Sequence, residues 1–157
     1  MKKQEKSIKL HTDASTHYVW LGGSCDYARE EHAGGGAYTI EKGGNICATY
    51  AFSACGTTEF RMMLAAMIHA MNAIEPGSTI VFLTNVAYLQ NFDKELAKNS
   101  PNADLTKECT AAKARHKSVT VKLLPYHKFS QLQAMHEQAH KTMLKARNGN
   151  TSRQRRK

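Results

Sequence analysis

The segment His136-Glu137-Gln138-Ala139-His140 spells H-E-x-x-H. On a helix this spacing sets two imidazoles on one face, a turn apart, able to grip zinc with the intervening glutamate as general base. A protease of that type takes a third ligand from further along the chain, and no His, Asp or Glu follows His140. Zinc held by His136, His140 and Asp13 is the milder form of the idea; two histidines on a half-exposed helix face is the plain one. Four cysteines (Cys25, Cys47, Cys55, Cys109) are too far apart for CxxC chemistry and read as small core residues in a reducing compartment.

The second chemical signal is charge. The chain carries +9 over 157 residues, and the excess is local. Residues 1–112 hold 10 Lys/Arg against 12 Asp/Glu, whereas residues 113–157 hold 12 against 1. Such a concentration suits a polyanion, and phosphate contacts from Lys113, Arg115, Lys117, Lys122, Lys128, Arg153, Arg155, Arg156 and Lys157 would give salt-sensitive, largely sequence-independent binding to nucleic acid. A basic tail that merely keeps the protein soluble is the alternative. Tyr126 and Phe129 lie among these charges, placed either to stack on bases or to fill the core.

The elements that position these residues follow from periodicity. With 41% hydrophobic and 22% charged residues, the composition is that of one globular domain. No window approaches the roughly 18 apolar residues of a membrane span. Residues 1–6 form a basic N-terminal extension without a signal peptide's apolar stretch, which points to the cytoplasm. Residues 7–14 alternate Ile8, Leu10 and Thr12 with Lys9, His11 and Asp13, a strand pattern that ends on Asp13. Residues 34–40 and 46–52 read as a hairpin closed by Gly43-Gly44-Asn45. Residues 57–74 turn to helical period, capped by Thr57 or Thr58 and stopped by Pro76-Gly77. Residues 79–83 form a buried central strand, 86–97 a short helix, 103–114 another, 119–123 a further strand and 130–147 a final helix. Residues 148–157 are expected to be a basic disordered tail.

This order, with four local matches, resembles the ribonuclease HI family. The matches are Thr12-Asp13-Ala14-Ser15, then Thr57-Thr58 through Arg61-Met62 into Leu64-Ala65-Ala66, then Thr84-Asn85-Val86-Ala87-Tyr88-Leu89, and His127 after the fifth strand. The resemblance spans residues 7–147. It implies an α/β ribonuclease H-like fold, a mixed five-stranded sheet with three antiparallel strands followed by parallel ones and helices on its faces.

It also implies a chemistry that this chain departs from. In the family, four carboxylates hold two divalent metals, Mg²⁺ or Mn²⁺, that hydrolyse the RNA strand of an RNA–DNA hybrid. Hard cations of this kind require oxygen ligands. Asp13 matches the first carboxylate, whereas the second falls on Met63, the third on Asn85 and the fourth on His140. The asparagine pair that contacts the nucleic-acid backbone reads Glu59-Phe60, and the basic protrusion is reduced to Lys94 and Lys98.

The expected function is therefore a nucleic-acid-binding ribonuclease HI homologue, of hybrid or other duplex, with hydrolysis lost or strongly reduced. The alternative is an active metal-dependent endonuclease rebuilt around Asp13 with Glu59, Glu137 or His140, since Glu59 lies one helical turn before Met63. A zinc-binding protein and an interaction scaffold, for a partner protein or a second copy of the chain, are the remaining classes.

Overall fold

The computed structural model describes residues 10–156, with side chains described through residue 148. The strands are β1 (His17–Cys25), β2 (Gly34–Lys42), β3 (Asn45–Ala54), β4 (Thr79–Thr84) and β5 (Ser118–Leu123); the helices are α1 (Glu59–Ala73), α2 (Ala103–Lys113) and α3 (Ser130–Arg156). They form one five-stranded sheet in the order β3-β2-β1-β4-β5. The first three strands pair antiparallel, and β1–β4 and β4–β5 pair parallel, which is the mixed sheet expected.

Strand β1 is the principal correction. The first strand is not 7–14: residues 1–9 lie outside the described residues, and 10–13 form no strand. The uninterrupted apolar run Tyr18-Val19-Trp20-Leu21 takes the central place instead, since a strand covered by helices on both faces need not alternate. Val19 and Leu21 enter the core under α1 and α2, while Tyr18 and Trp20 enter the core under α3.

Hairpin β2–β3 turns through Gly43 and Gly44, whose φ values of 60° and 82° suit the two-residue turns that match strand twist. Helix α1 begins where Thr58 Oγ1 accepts the Arg61 N–H at 3.1 Å. It buries Met62, Met63, Leu64, Ala66, Met67, Ala70 and Met71. Each large side chain so placed contributes about 1.5–3 kcal/mol.

Two further expectations change. Residues 86–97 hold only a 3-10 turn, Ala87–Asn91, because Leu89 and Phe92 are its two large buried side chains and the polar residues around them offer no continuous apolar face. Helix α3 spans Ser130–Arg156, past the residue 147 expected for its end. Lys157 lies outside the described residues.

Helix α3 sits unusually close to the sheet. A Cβ on Gly22 would press into the Met135 carbonyl group and lie 2.7 Å from the His136 nitrogen; one on Gly35 would collide with the Ala139 carbonyl oxygen. Only glycine permits that approach. The turn of α3 carrying His136 and His140 is thus seated directly on β1 and β2.

Candidate functional site

Because β1 and β4 run parallel, with Trp20 opposite Leu83, the residues that follow share one end of the sheet. Gly22 and Gly23 come from β1 there, and Asn85 follows β4. With Glu59 and Met63 from α1 and His136 from α3 they line a cleft of about 280 Å³. Beside it lies a shallow hollow of about 470 Å³, lined by Tyr126, His127, Gln133, His136, Glu137 and His140. Tyr126 and His136 belong to both.

Most of the site residues expected from the sequence meet here: Glu59, Asn85 and His136 in the cleft, His127, Glu137 and His140 in the hollow. Asp13 does not. It is exposed in the turn before β1, at the end of the sheet where Tyr18 faces Glu41, near the β2–β3 turn, whereas Gly22 faces Ala37. Its Oδ1 accepts the Ser15 N–H and hydroxyl at 3.1 Å each, and its own N–H donates to the Tyr18 hydroxyl at 2.9 Å. The Ser15 N–H, above all, holds its carboxyl below the ordinary range. This is the hydrogen bonding of a turn that leads the chain into β1.

At this end β1 offers the cleft Gly22 and Gly23, and neither has room for a side chain: a Cβ on Gly22 would meet the backbone of α3, and one on Gly23 the Met63 side chain at 2.5 Å. Among the described residues, Glu59 is the one carboxylate lining the cleft. It stands in the first turn of α1, where the helix dipole favours an anion, and its N–H donates to the Tyr27 hydroxyl at 2.8 Å. A thioether, an amide and one carboxylate do not fit a pair of Mg²⁺ or Mn²⁺ ions, which need several charged oxygen ligands. The zinc set fails likewise: Asp13 is at the far end of the sheet, and among the described residues no three His, Cys, Asp or Glu are grouped to hold a metal ion. The two histidines do share the exposed face of α3, as their spacing predicts.

Ser24 is the site residue that sequence reading passed over, whereas Tyr126, singled out among the cations, lines both the cleft and the hollow. Ser24 Oγ is 3.2 Å from His140 Nδ1. The Tyr126 ring stands edge-on to His127 and His136, with centroids 5.6 Å and 6.1 Å away. The Gly22-Gly23-Ser24 run was the available signal, as a place where backbone approaches closely. On the other face, Tyr38 Oη and His69 Nδ1 lie 2.6 Å apart and Tyr50 stacks on His69 at 4.0 Å, beside an apolar groove of about 450 Å³. No local motif links these residues.

The expected cations divide into three groups. Lys113 Nζ donates to Asp93 Oδ2 at 2.7 Å and Arg115 to Asn72 Oδ1 at 2.7 Å, so both brace α2 against its neighbours; exposed Lys117 is close to them in sequence. Lys122 and Lys128 are exposed near the cleft end, on β5 and in the 3-10 turn Tyr126–Lys128. Arg153, Arg155 and Arg156 belong to the end of α3, while Lys157 is outside the described residues. Phe129 is buried against Trp20, which settles it as a core residue; Tyr126 is half-buried. Cys109 is buried as expected, but Cys47 and Cys55 are exposed. No helix among the described residues is long and apolar enough to cross a membrane.

No protein-family model matches the chain, and no curated protein matches it in sequence. Solved structures match it in fold. The ribonuclease H1 of the archaeon Halobacterium salinarum NRC-1 superposes with a TM-score of 0.66 at 11% identity, over 82% of this chain and 97% of its own. The N-terminal ribonuclease H domain of rv2228c from Mycobacterium tuberculosis gives 0.71 at 9% identity, over 87% and 99%. LC11-RNase H1, solved in complex with an RNA/DNA hybrid, gives 0.66 at 15% identity, over 83% and 98%.

Proposed function

We propose that this chain, whose fold is that of the ribonucleases H, binds nucleic acid at the cleft end of its sheet, an RNA/DNA hybrid foremost, without two-metal hydrolysis. The observation that carries the reading is Gly22. Asp13, the strand carboxylate that the resemblance implies, stands at the far end of the sheet; at the cleft β1 presents Gly22, where the backbone of α3 excludes any side chain, and Met63, Asn85 and His140 stand at the other positions. Support for the nucleic acid comes from the hybrid bound by LC11-RNase H1 on the same fold, and from exposed Lys122 and Lys128 beside the cleft. Basic residues 153–157 add positive charge on the same reading, and the domain is taken as residues 7–147.

A titration of fluorescent hybrid, duplex and single-stranded oligonucleotides at two salt concentrations tests it. Binding that weakens steeply with salt is expected. Absence of binding at low salt to all three contradicts it.

An active endonuclease with a rearranged site is the second reading, favoured by the single carboxylate of Glu59 in the cleft. Cleavage removed by Glu59→Gln would establish it. A cytoplasmic setting accompanies both readings, supported by thiols kept as hydrogen-bond donors: Cys25 to the Thr57 carbonyl at 3.4 Å and Cys109 to that of Leu64 at 4.0 Å.

A further inference from the structure

Resting on the nucleic-acid reading, we propose that the hollow between the 3-10 turn Tyr126–Lys128 and the start of α3 binds a backbone phosphate directly, through His127, His136 and His140, without a divalent cation.

Three imidazoles, from two elements, line one hollow wide enough for an anion larger than a metal ion. His136 and His140 are fixed from beneath, since the helix turn that carries them rests on Gly22 and Gly35 with no space to shift inward. His140 is also fixed in rotation by Ser24, itself buried, at 3.2 Å from Nδ1. When the Ser24 hydroxyl donates to Nδ1, the imidazole proton sits on Nε2, the outward nitrogen. Tyr126, packed edge-on against His127 and His136, holds those two rings apart at the rim. Gln133 adds a carboxamide, although its Nε2 already donates to the Tyr126 carbonyl at 3.1 Å.

The charge balance also favours an anion. Glu137 is the hollow's one acid, and its Oε2 lies 4.0 Å from Lys141 Nζ; Lys128 follows His127 directly. Where several carboxylates line a cleft, a phosphate can approach only through bridging metal ions. Here the same end of the sheet presents imidazole donors, so hydrogen bonds from protein to phosphate oxygen suffice.

The experiment uses the full chain, stripped of metal and kept in EDTA. Inorganic phosphate is titrated while the histidine ring resonances are followed, and hybrid binding is measured in EDTA and in Mg²⁺. The expected result is that the rings of His127, His136 and His140 shift together with phosphate, and that hybrid affinity is no higher in Mg²⁺ than in EDTA. His136→Ala with His140→Ala is expected to weaken hybrid binding about tenfold, the scale of two lost hydrogen bonds. These residues are exposed, and His127→Ala, outside the helix, checks the result independently of α3. Histidine rings unmoved by phosphate, hybrid binding that appears only with Mg²⁺ or Zn²⁺, or variants that bind hybrid like the parent would overturn the proposal. A chain that binds no nucleic acid yet shows the phosphate shifts would retain the anion site and discard the nucleic-acid reading.

Discussion

Ser24 Oγ and His140 Nδ1 lie 3.2 Å apart, joining the end of β1 to the exposed face of α3 at the edge of the hollow that His140 lines. This contact exists because Gly22, two residues earlier, lets α3 descend onto the strand. Tight seating of one helix has two consequences together: it removes the space for a strand carboxylate and it organises the imidazoles.

Gly22→Ala is therefore expected to be costly. Its methyl group would meet the Met135 carbonyl and the His136 nitrogen, which are backbone and cannot rotate away. Overpacking of this kind costs about 1–3 kcal/mol. Urea unfolding of the variant beside Gly44→Ala separates packing from turn strain, since nothing lies within 4 Å of a Cβ on Gly44. A Gly22→Ala protein as stable as the parent would show that α3 sits further out.

Arg61 and Asp104 predict an acid limb to stability. Two guanidinium nitrogens of Arg61 donate to the Asp104 carboxylate at 3.0 Å and 2.9 Å, linking α1 to the start of α2 and pulling the acid from 3.8 down to about 2. A depressed folded pKa gives stability that is present above the unfolded value and lost as pH falls through the folded one. Thermal unfolding should thus fall between about pH 4 and pH 2 through this pair, and Asp104→Asn should lower the melting temperature near neutrality while flattening that part of the profile. An unchanged acid limb in the variant would assign it to other carboxylates.

Two cysteines should differ sharply toward an alkylating reagent. Burial, first, and the neighbouring Glu108 and Asp93 push the Cys109 thiol up to about 12, whereas Cys47 is exposed on edge strand β3. Reaction requires thiolate and access. Mass spectrometry of the native protein should find Cys47 modified first and Cys109 only on unfolding; early modification of Cys109 would mean that α2 opens readily.

Much of the frame is legible in the sequence, for local reasons. The β2–β3 hairpin announces itself through Gly43-Gly44-Asn45, and α1 through Thr58 and the Pro76-Gly77 stop, because turns and caps are made by adjacent residues. β1 is hidden for the opposite reason: its apolar run has no period, while residues 7–14 imitate an alternating strand and carry Asp13 with them to the wrong end of the sheet. Convergence of Glu59, Asn85, His136 and His140 follows once strand order is known. The seating of α3 on Gly22 and Gly35 does not, since it depends on contacts between segments remote in the chain.

Removing residues 153–157 tests the electrostatic share of binding. These residues include Arg153, Arg155, Arg156 and Lys157. If all four contact phosphates, the slope of log affinity against log salt should become shallower by roughly 3 to 4 on duplex. An unaltered slope would leave Lys117, Lys122 and Lys128 as the cations that matter.

The most direct measurement is cleavage of a labelled RNA/DNA hybrid by the purified chain, supplied in turn with Mg²⁺, Mn²⁺ and Zn²⁺, beside Asp13→Asn and Glu59→Gln. A chain that retains the hybrid uncut with every metal, and whose Asp13 variant binds like the parent, is the predicted result. Hybrid cleavage that persists through purification and disappears in Glu59→Gln would contradict it, showing that two-metal chemistry had been rebuilt around α1.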